Sequence, residues 1–152
     1  MNRIQQAPAP AGRRGLKRKV FVVEDHPLMR RSIVEAIERE PDLVVCGPVE
    51  DVPEIPAIML LQPDLVLTDI QLKSSSGLGL IEALRGRLPT LPIVATTMFD
   101  VRRTERLARA AGASDFVSKE EGPERLIAVI RGALEKSSER DENLENSNAG
   151  LV

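Results

Sequence analysis

The sequence predicts an α/β protein with a doubly wound, five-stranded parallel sheet and helices on both of its faces. From Lys19 onward, five short apolar runs alternate with longer segments of helical period. Neighbouring parallel strands need crossover connections, and right-handed crossovers place helices on both faces of the sheet. The 152 residues are enough for one domain of ordinary size with a single core.

The five apolar runs are the predicted strands. In chain order they are KVFVVE, LVVCGPV, DLVLTD, PIVATT and SDFVS. Each is short enough for a strand and too short for a helix of ordinary length. Cys46, in the second run, is expected to serve as a small buried hydrophobe, because no matching base accompanies it.

The helical segments lie between and after these strands, at about residues 27–40, 53–61, 77–88, 101–111 and 123–136. Pro27 suits the first turn of the first helix. The apolar face of that helix consists of Leu28, Ile33, Val34 and Ile37. Pro53 and Pro56 restrict the start of the second helix, which should be short or irregular. The last helix has an apolar face formed by Leu126, Ile127, Val129, Ile130 and Leu134.

The two ends of the chain lack this pattern. Residues 1–18 mix Pro, Ala, Gly, Gln and basic residues without periodicity, which predicts a flexible basic arm. Residues 137–152 are expected to form a flexible tail or linker stub. The predicted folded domain is therefore residues 19–136.

Composition excludes several classes of protein. No run of about 18 apolar residues is present to span a bilayer, and the amino-terminal residues have no apolar core of the signal-peptide type. One cysteine cannot form an intramolecular disulfide, so a reducing cytoplasm is the expected location, with no membrane association. The formal net charge of -2 provides no overall attraction to nucleic acid.

Polar side chains stand where the predicted strands end. In chain order they are Glu24 and Asp25, Asp69, Thr96 and Thr97, and Ser118 and Lys119. Doubly wound sheets bind ligands outside the carboxyl ends of their strands, where the winding reverses. The strand ends are therefore the candidate site, with three carboxylates, a hydroxyl and an ammonium in one shallow pocket.

Three neighbouring carboxylates repel one another, so the pocket must hold protons or recruit a cation. Magnesium suits all-oxygen ligation, takes only one or two protein carboxylates, and also binds phosphate oxygens. Lys119 adds a positive charge suited to a phosphoryl group. A carboxylate nucleophile beside a metal, a lysine and a hydroxyl indicates phosphoryl transfer to aspartate.

Several separated segments carry a family resemblance. VVEDHPLMRRSIVEAI, PDLVLTDIQLKSSSGLGLIEAL, PIVATTMFD and GASDFVSKE stand where receiver domains of bacterial two-component response regulators have their signatures. Residues 19–136 resemble such a receiver, most of all the receivers of LuxR-type regulators, which have a helix-turn-helix output domain that this chain lacks. The resemblance implies the flavodoxin-like strand order 2-1-3-4-5. It also implies a switch that catalyses its own phosphorylation and slow dephosphorylation, more than a metabolic enzyme.

The resemblance assigns a role to each matching residue of the pocket. Asp69 would be the phosphoacceptor, with Thr97 and Lys119 contacting the phosphoryl group; Thr96 competes with Thr97 for that role. The implied cofactor is Mg²⁺ or Mn²⁺. Its ligands would be Asp25, Asp69, the backbone carbonyl of Gln71 and, directly or through water, Glu24. Phe116 would turn inward when Thr97 moves. The chain departs from the family at Lys73, where a proline is usual, and at Asp115, where a glycine is usual.

The implied partners are a sensor histidine kinase or phosphotransfer protein. A homodimer through the fourth helix, fifth strand and fifth helix is also implied, and DNA would be contacted only through an output domain that controls transcription. Two different functions remain open: a stand-alone or phosphorylation-independent receiver acting by protein–protein interaction, and an aspartyl-phosphate hydrolase. The hydrolase usually needs a second acid two positions after its nucleophile, and Gln71 occupies that position.

Each of these residues also has a purely structural interpretation. Glu24 and Asp25 could cap the following helix, because acids favour a helix amino terminus. Phe116 could be plain core, and Lys119 could be a surface charge. For His26, the sole histidine, a local role at the start of the helix is favoured over one as phosphodonor or ligand.

Overall fold

A computed structural model of the chain describes residues 16–49, 53–73, 75–98 and 100–149. Its five strands form one parallel sheet in the order β2-β1-β3-β4-β5, which confirms the predicted fold class and strand order. The strands are β1 (Arg18–Val23), β2 (Leu43–Val49), β3 (Leu65–Asp69), β4 (Ile93–Thr97) and β5 (Asp115–Ser118).

The helices follow the predicted alternation. They are α1 (Pro27–Glu38), α2 (Ile55–Leu61), α3 (Gly77–Arg87), α4 (Val101–Ala111) and α5 (Pro123–Ala149), with a single 3-10 turn at Lys119–Glu121. Helix α2 is short, as its prolines predict. Within the described residues, no helix is both long and apolar enough to cross a membrane.

Helix α5 is longer than predicted. It continues to Ala149, through most of the segment that we expected to be a flexible tail or linker stub. Residues 133–149 contain no Gly or Pro, and several of them are good helix formers, so nothing in the local sequence stops a helix that starts on the packed domain. The remaining residues of that segment, 150–152, lie outside the described part of the chain.

The predicted arm also ends earlier than expected. Arg18 belongs to β1, where it pairs with Leu43. Its guanidinium donates to the Leu134 carbonyl (3.3 Å) and to Ser138 Oγ (2.8 Å), both on α5. Because these bonds tie the start of β1 to the last helix, Arg18 is part of the folded domain. Residues 1–15 of the predicted arm lie outside the described residues.

Two apolar cores lie on the two faces of the sheet. One cluster includes Val20 and Leu67 of the sheet, Ile37 of α1 and Ile130 of α5. The other includes Phe21, Val66, Ile93 and Phe116 of the sheet, Ile58 of α2, Ile81 of α3 and Ala108 of α4. Cys46 is half-buried beside the second cluster, and burial raises the pKa of its thiol, as expected for a structural cysteine.

The register of the sheet brings the predicted site residues together. Val23 pairs with Thr68, so the residues that follow them, Glu24 and Asp69, are neighbours across β1 and β3. Asp69 in turn pairs with Thr96. Thr97 pairs with Ser118, the residue before Lys119. All of these ends lie at the carboxyl edge of one parallel sheet.

Candidate functional site

Three carboxylates form the centre of the site. Glu24 and Asp25 follow β1, and Asp69 is the last residue of β3. One oxygen of each lies within 4.8 Å of the others. Glu24 is only 1% exposed and Asp69 only 5%. Two acids buried next to each other at strand ends are costly for folding alone, which favours a functional site.

Lys119 supplies the positive charge of the site. Its ammonium contacts Glu24 Oε1 and donates to Asp69 Oδ2 at 2.6 Å, with only 6% of the side chain exposed. A capping box holds the turn that carries it: the Ser118 amide donates to Glu121 Oε2 (3.0 Å), and Ser118 Oγ accepts from the Glu120 amide (3.3 Å). The local sequence after β5 therefore places Lys119 over the end of β3.

The charges of the site do not balance. Burial raises the pKa of Glu24 and the Asp69 charge adds to that effect, while hydrogen bonding and attraction to Lys119 oppose it; the net direction is upward. The Lys119 ammonium contacts two of the three clustered carboxylates, Glu24 and Asp69. The site retains an excess of negative charge when all three are ionised.

Backbone donors orient two of the three carboxylates. Asp69 Oδ1 accepts from the Gln71 amide at 2.8 Å, and Asp25 Oδ2 accepts from the Lys73 amide at 2.5 Å. Gln71 also pairs with Ser76 across the loop between β3 and α3. This loop therefore closes over the acidic cluster and is tied to it.

Gly77 allows that loop to lie close to β3. It starts α3, and its amide donates to the Ile70 carbonyl at 3.2 Å. A Cβ at position 77 would lie 2.0 Å from the Asp69 carbonyl oxygen and 2.7 Å from Ile70 Cα. Only glycine fits this approach, because backbone atoms cannot move aside as a flexible side chain can.

The two threonines at the end of β4 face opposite sides of the sheet. Side chains alternate along a strand. Thr96 lines a pocket between α1 and α5 with Val117, whereas Thr97 lies on the same face as Ala95 and Phe116. Thr97 is fully buried. The pleat thus separates Thr97, the residue that the sequence analysis assigned to the site, from its competitor Thr96. It also groups Thr97 with the predicted switch aromatic.

Phe116 lies inside the domain, 8% exposed, within the cluster that includes Ala95 of β4 and Ala108 of α4. The preceding residue, Asp115, departs from the family pattern and has a local role. Its Oδ1 accepts from the Phe116 amide at 2.9 Å and pairs with Arg109 of α4 at 3.2 Å. Asp115 therefore links β5 to α4 beside the aromatic ring.

The residues at the start of α1 are held by local hydrogen bonds. His26 Nδ1 accepts from the Met29 amide at 3.3 Å and caps α1, which confirms the local role predicted for this histidine. The His26 amide donates to Glu24 Oε2 at 3.2 Å, and Arg30 donates to the Glu24 carbonyl at 3.1 Å. Because His26 caps α1, the interpretation of Glu24 and Asp25 as mere caps is not supported.

The donor set fits a hard divalent cation. All three clustered side chains offer carboxylate oxygens, the ligand type that magnesium prefers. Glu24 Oε1 is buried and contacts the Lys119 ammonium, yet it receives no hydrogen bond of ordinary geometry. The excess of negative charge and this incompletely satisfied oxygen are both features that a cation would relieve.

The sequence did not reveal two contributions to the site. The first is the Lys73 amide, which can donate because this position is not proline. The departure from the family pattern at Lys73 could have indicated this donor. The close approach of Gly77 to β3 had no signal beyond a glycine after a Ser-rich loop.

Comparison with known proteins identifies the class that this fold and site define. The chain matches the family described as response regulator receiver domain over residues 20–131, and it belongs to that family. It is a receiver domain of two-component response regulators. Because the chain belongs to this family, neither an aspartyl-phosphate hydrolase nor a phosphorylation-independent binding module is favoured.

The individual similarities point to regulators of the LuxR type. The chain is 32% identical over 120 residues to the nitrate/nitrite response regulator protein NarP of Escherichia coli, covering 78% of this chain and 56% of NarP. It is 33% identical over 103 residues to the DNA-binding transcriptional activator DevR/DosR of Mycobacterium tuberculosis, covering 67% of this chain and 48% of DevR/DosR. The chain thus spans about half the length of these curated relatives.

A solved structure agrees with this assignment. The crystal structure of a LuxR-family two-component response regulator from Aurantimonas sp. SI85-9A1 superposes with a TM-score of 0.74 at 27% identity, covering 79% of this chain and 86% of that one. The fold is therefore shared over nearly all of the matched domain.

Proposed function

We propose that this receiver accepts a phosphoryl group on Asp69 from the phosphohistidine of a sensor histidine kinase or phosphotransfer protein. The observation that carries the proposal is the position of Asp69: a buried strand-end carboxylate that is bonded to Lys119 at 2.6 Å and clustered with Glu24 and Asp25. No other described acids form such a cluster. A fixed cationic partner beside the carboxylate can pair with the negative oxygens of an incoming phosphoryl group.

The transfer needs little covalent chemistry from the protein. An oxygen of Asp69 attacks phosphorus, the P–O bond forms as the P–N bond to the donor histidine breaks, and the imidazole leaves with the electron pair. In the structure, Lys119 donates to Asp69 Oδ2. During the transfer it pairs with the negative oxygens of the incoming phosphoryl group. Thr97, buried at the end of β4, donates its hydroxyl to a phosphoryl oxygen.

The acidic cluster would hold Mg²⁺ or Mn²⁺. The ligands would be Asp25, Asp69 and the backbone carbonyl of Gln71, with Glu24 acting directly or through water. When bound, the ion neutralises negative charge on the carboxylates and on the phosphoryl oxygens. The loop between β3 and α3 supports this arrangement, because the Gln71 amide already orients Asp69.

The aspartyl phosphate would bias a two-state element through Thr97 and Phe116. The two side chains lie on the same face of the sheet, next to α4. A shift of Thr97 towards the phosphoryl group would leave space beside it, and the ring of Phe116 would move into that space. The resulting face of α4, β5 and α5 would form a homodimer. The output would be transcription, through a DNA-binding domain of the kind named for DevR/DosR.

Intact mass tests the proposal. The protein is incubated with magnesium and a small phosphodonor, beside a chelated sample and the variant Asp69→Asn. The matched control is Asp42→Asn, the same chemical change at an exposed acid at the opposite end of the sheet. One phosphoryl group is expected on the wild type and on Asp42→Asn, and none on Asp69→Asn or after chelation. Equal phosphorylation of Asp69→Asn would refute the assignment.

A further inference from the structure

A large groove lies at the amino-terminal ends of the strands, at the opposite end of the sheet from the acidic site. Its volume is about 1170 Å³. Apolar side chains line part of it, namely Leu16, Met59, Leu88 and Leu91. One wall is α5 from Leu134 to Glu142, most of which lies past the predicted domain boundary at residue 136. The groove is thus partly apolar and open along this helix.

The helical wall of the groove is acidic and unpaired. Four carboxylates line it: Glu135, Glu139, Asp141 and Glu142. None of them forms an ion pair or a side-chain hydrogen bond with another described residue. The two cations that line the groove are already bonded, Arg18 to Leu134 and Ser138, and Arg131 to Glu40 and Asp42. The wall therefore offers negative charge to a basic occupant.

This part of α5 also lacks packing of its own. Leu134 is the last buried residue of the helix, and residues 139–149 are all exposed. A helix of this length is marginal in water without an apolar contact or many favourable pairs. An occupant of the groove would stabilise it.

The amino-terminal segment has the matching chemistry. Residues 1–15 carry Arg3, Arg13 and Arg14 and no acid, together with apolar Met1 and Ile4 and a stretch of alternating alanine and proline. The segment joins the domain at Leu16, which lines the groove. Arg14 is two residues away, within about 7 Å of Leu16 along the chain. A segment of this length can span about 50 Å, more than the roughly 22 Å of helix from residue 135 to 149.

We propose that the groove binds residues 1–15 of the same chain, with Arg13 and Arg14 paired to the acidic wall of α5. The contact offsets part of the negative charge of the four carboxylates and stabilises the helix beyond Leu134. It couples the start of the chain to the helix that leads out of the receiver. This proposal goes beyond phosphoryl transfer and does not depend on it, because the groove and the acidic cluster are at opposite ends of the sheet.

Amide hydrogen exchange on the full chain tests the proposal. The variant Arg13→Glu/Arg14→Glu reverses the charge of the segment next to the groove. Exchange in residues 139–149 is expected to become about fivefold faster at low salt, with a smaller change at high salt. The matched control is Arg102→Glu/Arg103→Glu, which makes the same charge change at exposed positions of α4. This control should leave residues 139–149 unchanged.

A charge swap supplies the decisive comparison. Adding Glu139→Arg/Glu142→Arg to the reversed segment should restore slow exchange, because the paired signs are exchanged and kept complementary. No effect of Arg13→Glu/Arg14→Glu, or an equal effect of the α4 control, would overturn the proposal. So would protection that rises with protein concentration, since that result would place the segment of a second copy in the groove.

Discussion

The Lys73 amide donates to Asp25 Oδ2 at 2.5 Å, so the loop after β3 holds one of the three clustered carboxylates. Receivers of the resembling family usually have a proline at this position, and proline has no amide hydrogen to donate. The bond is therefore specific to chains with another residue there. The hydrogen bond from the Lys73 amide withdraws negative charge from Asp25 Oδ2, which would otherwise be free to bind a cation.

The variant Lys73→Pro should bind magnesium more tightly than the wild type. Removing the donor leaves Asp25 Oδ2 with its full negative charge. We expect a gain of about threefold in affinity, at the low end of the net contribution of a hydrogen bond, because the site is exposed and water can replace the donor. Titration calorimetry measures it. The matched control is Lys73→Ala, which removes the ammonium but keeps the amide hydrogen. Equal effects of the two variants would assign the change to the side-chain charge instead.

Asp69→Asn should raise the stability of the protein in the presence of a chelator. Glu24 and Asp69 share the Lys119 ammonium, and Asp25 is clustered with both, so removing the Asp69 charge relieves more repulsion than it loses in attraction. We expect an increase of about 1 kcal/mol in the free energy of unfolding, measured in urea. Magnesium should then stabilise the wild type more than the variant. A less stable variant would show that the pair with Lys119 outweighs the repulsion.

Gly77→Ala should disrupt both stability and phosphorylation. The added Cβ would lie 2.0 Å from the Asp69 carbonyl oxygen, so α3 must move away from Asp69. We expect a loss of about 3 kcal/mol in the free energy of unfolding. Gly79→Ala is the control, because a Cβ there meets no atom within 4 Å. That variant should gain about 0.5 to 1 kcal/mol, since alanine is the better helix former.

The pair between Arg131 and Asp42 should give the protein a dependence on acid pH. Hydrogen bonds from Arg131, at 2.6 and 2.8 Å, hold the pKa of Asp42 below its usual value of 3.8. A depressed pKa contributes stability that is fully present above pH 3.8 and is lost as the pH falls through the folded-state value.

Asp42→Asn tests this linkage by chemical unfolding at several pH values. Asp42 is 57% exposed, so solvent screening limits its contribution to about 0.5 kcal/mol at neutral pH. The difference between wild type and variant should shrink to zero in strong acid and fall with added salt. A difference that is the same at every pH would mean that the carboxylate charge does not cause it.

Local sequence was sufficient to predict most of the fold. The apolar runs and helical periods located all ten strands and helices of the described chain, because burial between layers requires those periods. Helix α5 was the exception in its length. Its polar second half lacks an apolar face, and the periodic pattern that marked the other helices was missing there, although no Gly or Pro interrupts residues 133–149.

The candidate site was predicted as a set of residues and not as a geometry. Glu24, Asp25, Asp69 and Lys119 follow strands of a parallel sheet, so the edge that they share follows from topology. Thr97 was preferred over Thr96 through the family resemblance alone, because the face that each occupies depends on how β4 packs in the sheet.

The sequence by itself determined the element order, the strand-end acids and the family. Only the tertiary structure decided that Lys119 reaches both Glu24 and Asp69, and that the Lys73 amide reaches Asp25. These contacts join residues that lie 48 to 95 positions apart, where 119 − 24 = 95 and 73 − 25 = 48. Residue types and local periods predict which groups reach the edge of a sheet; the distances between those groups depend on how helices and loops pack around it.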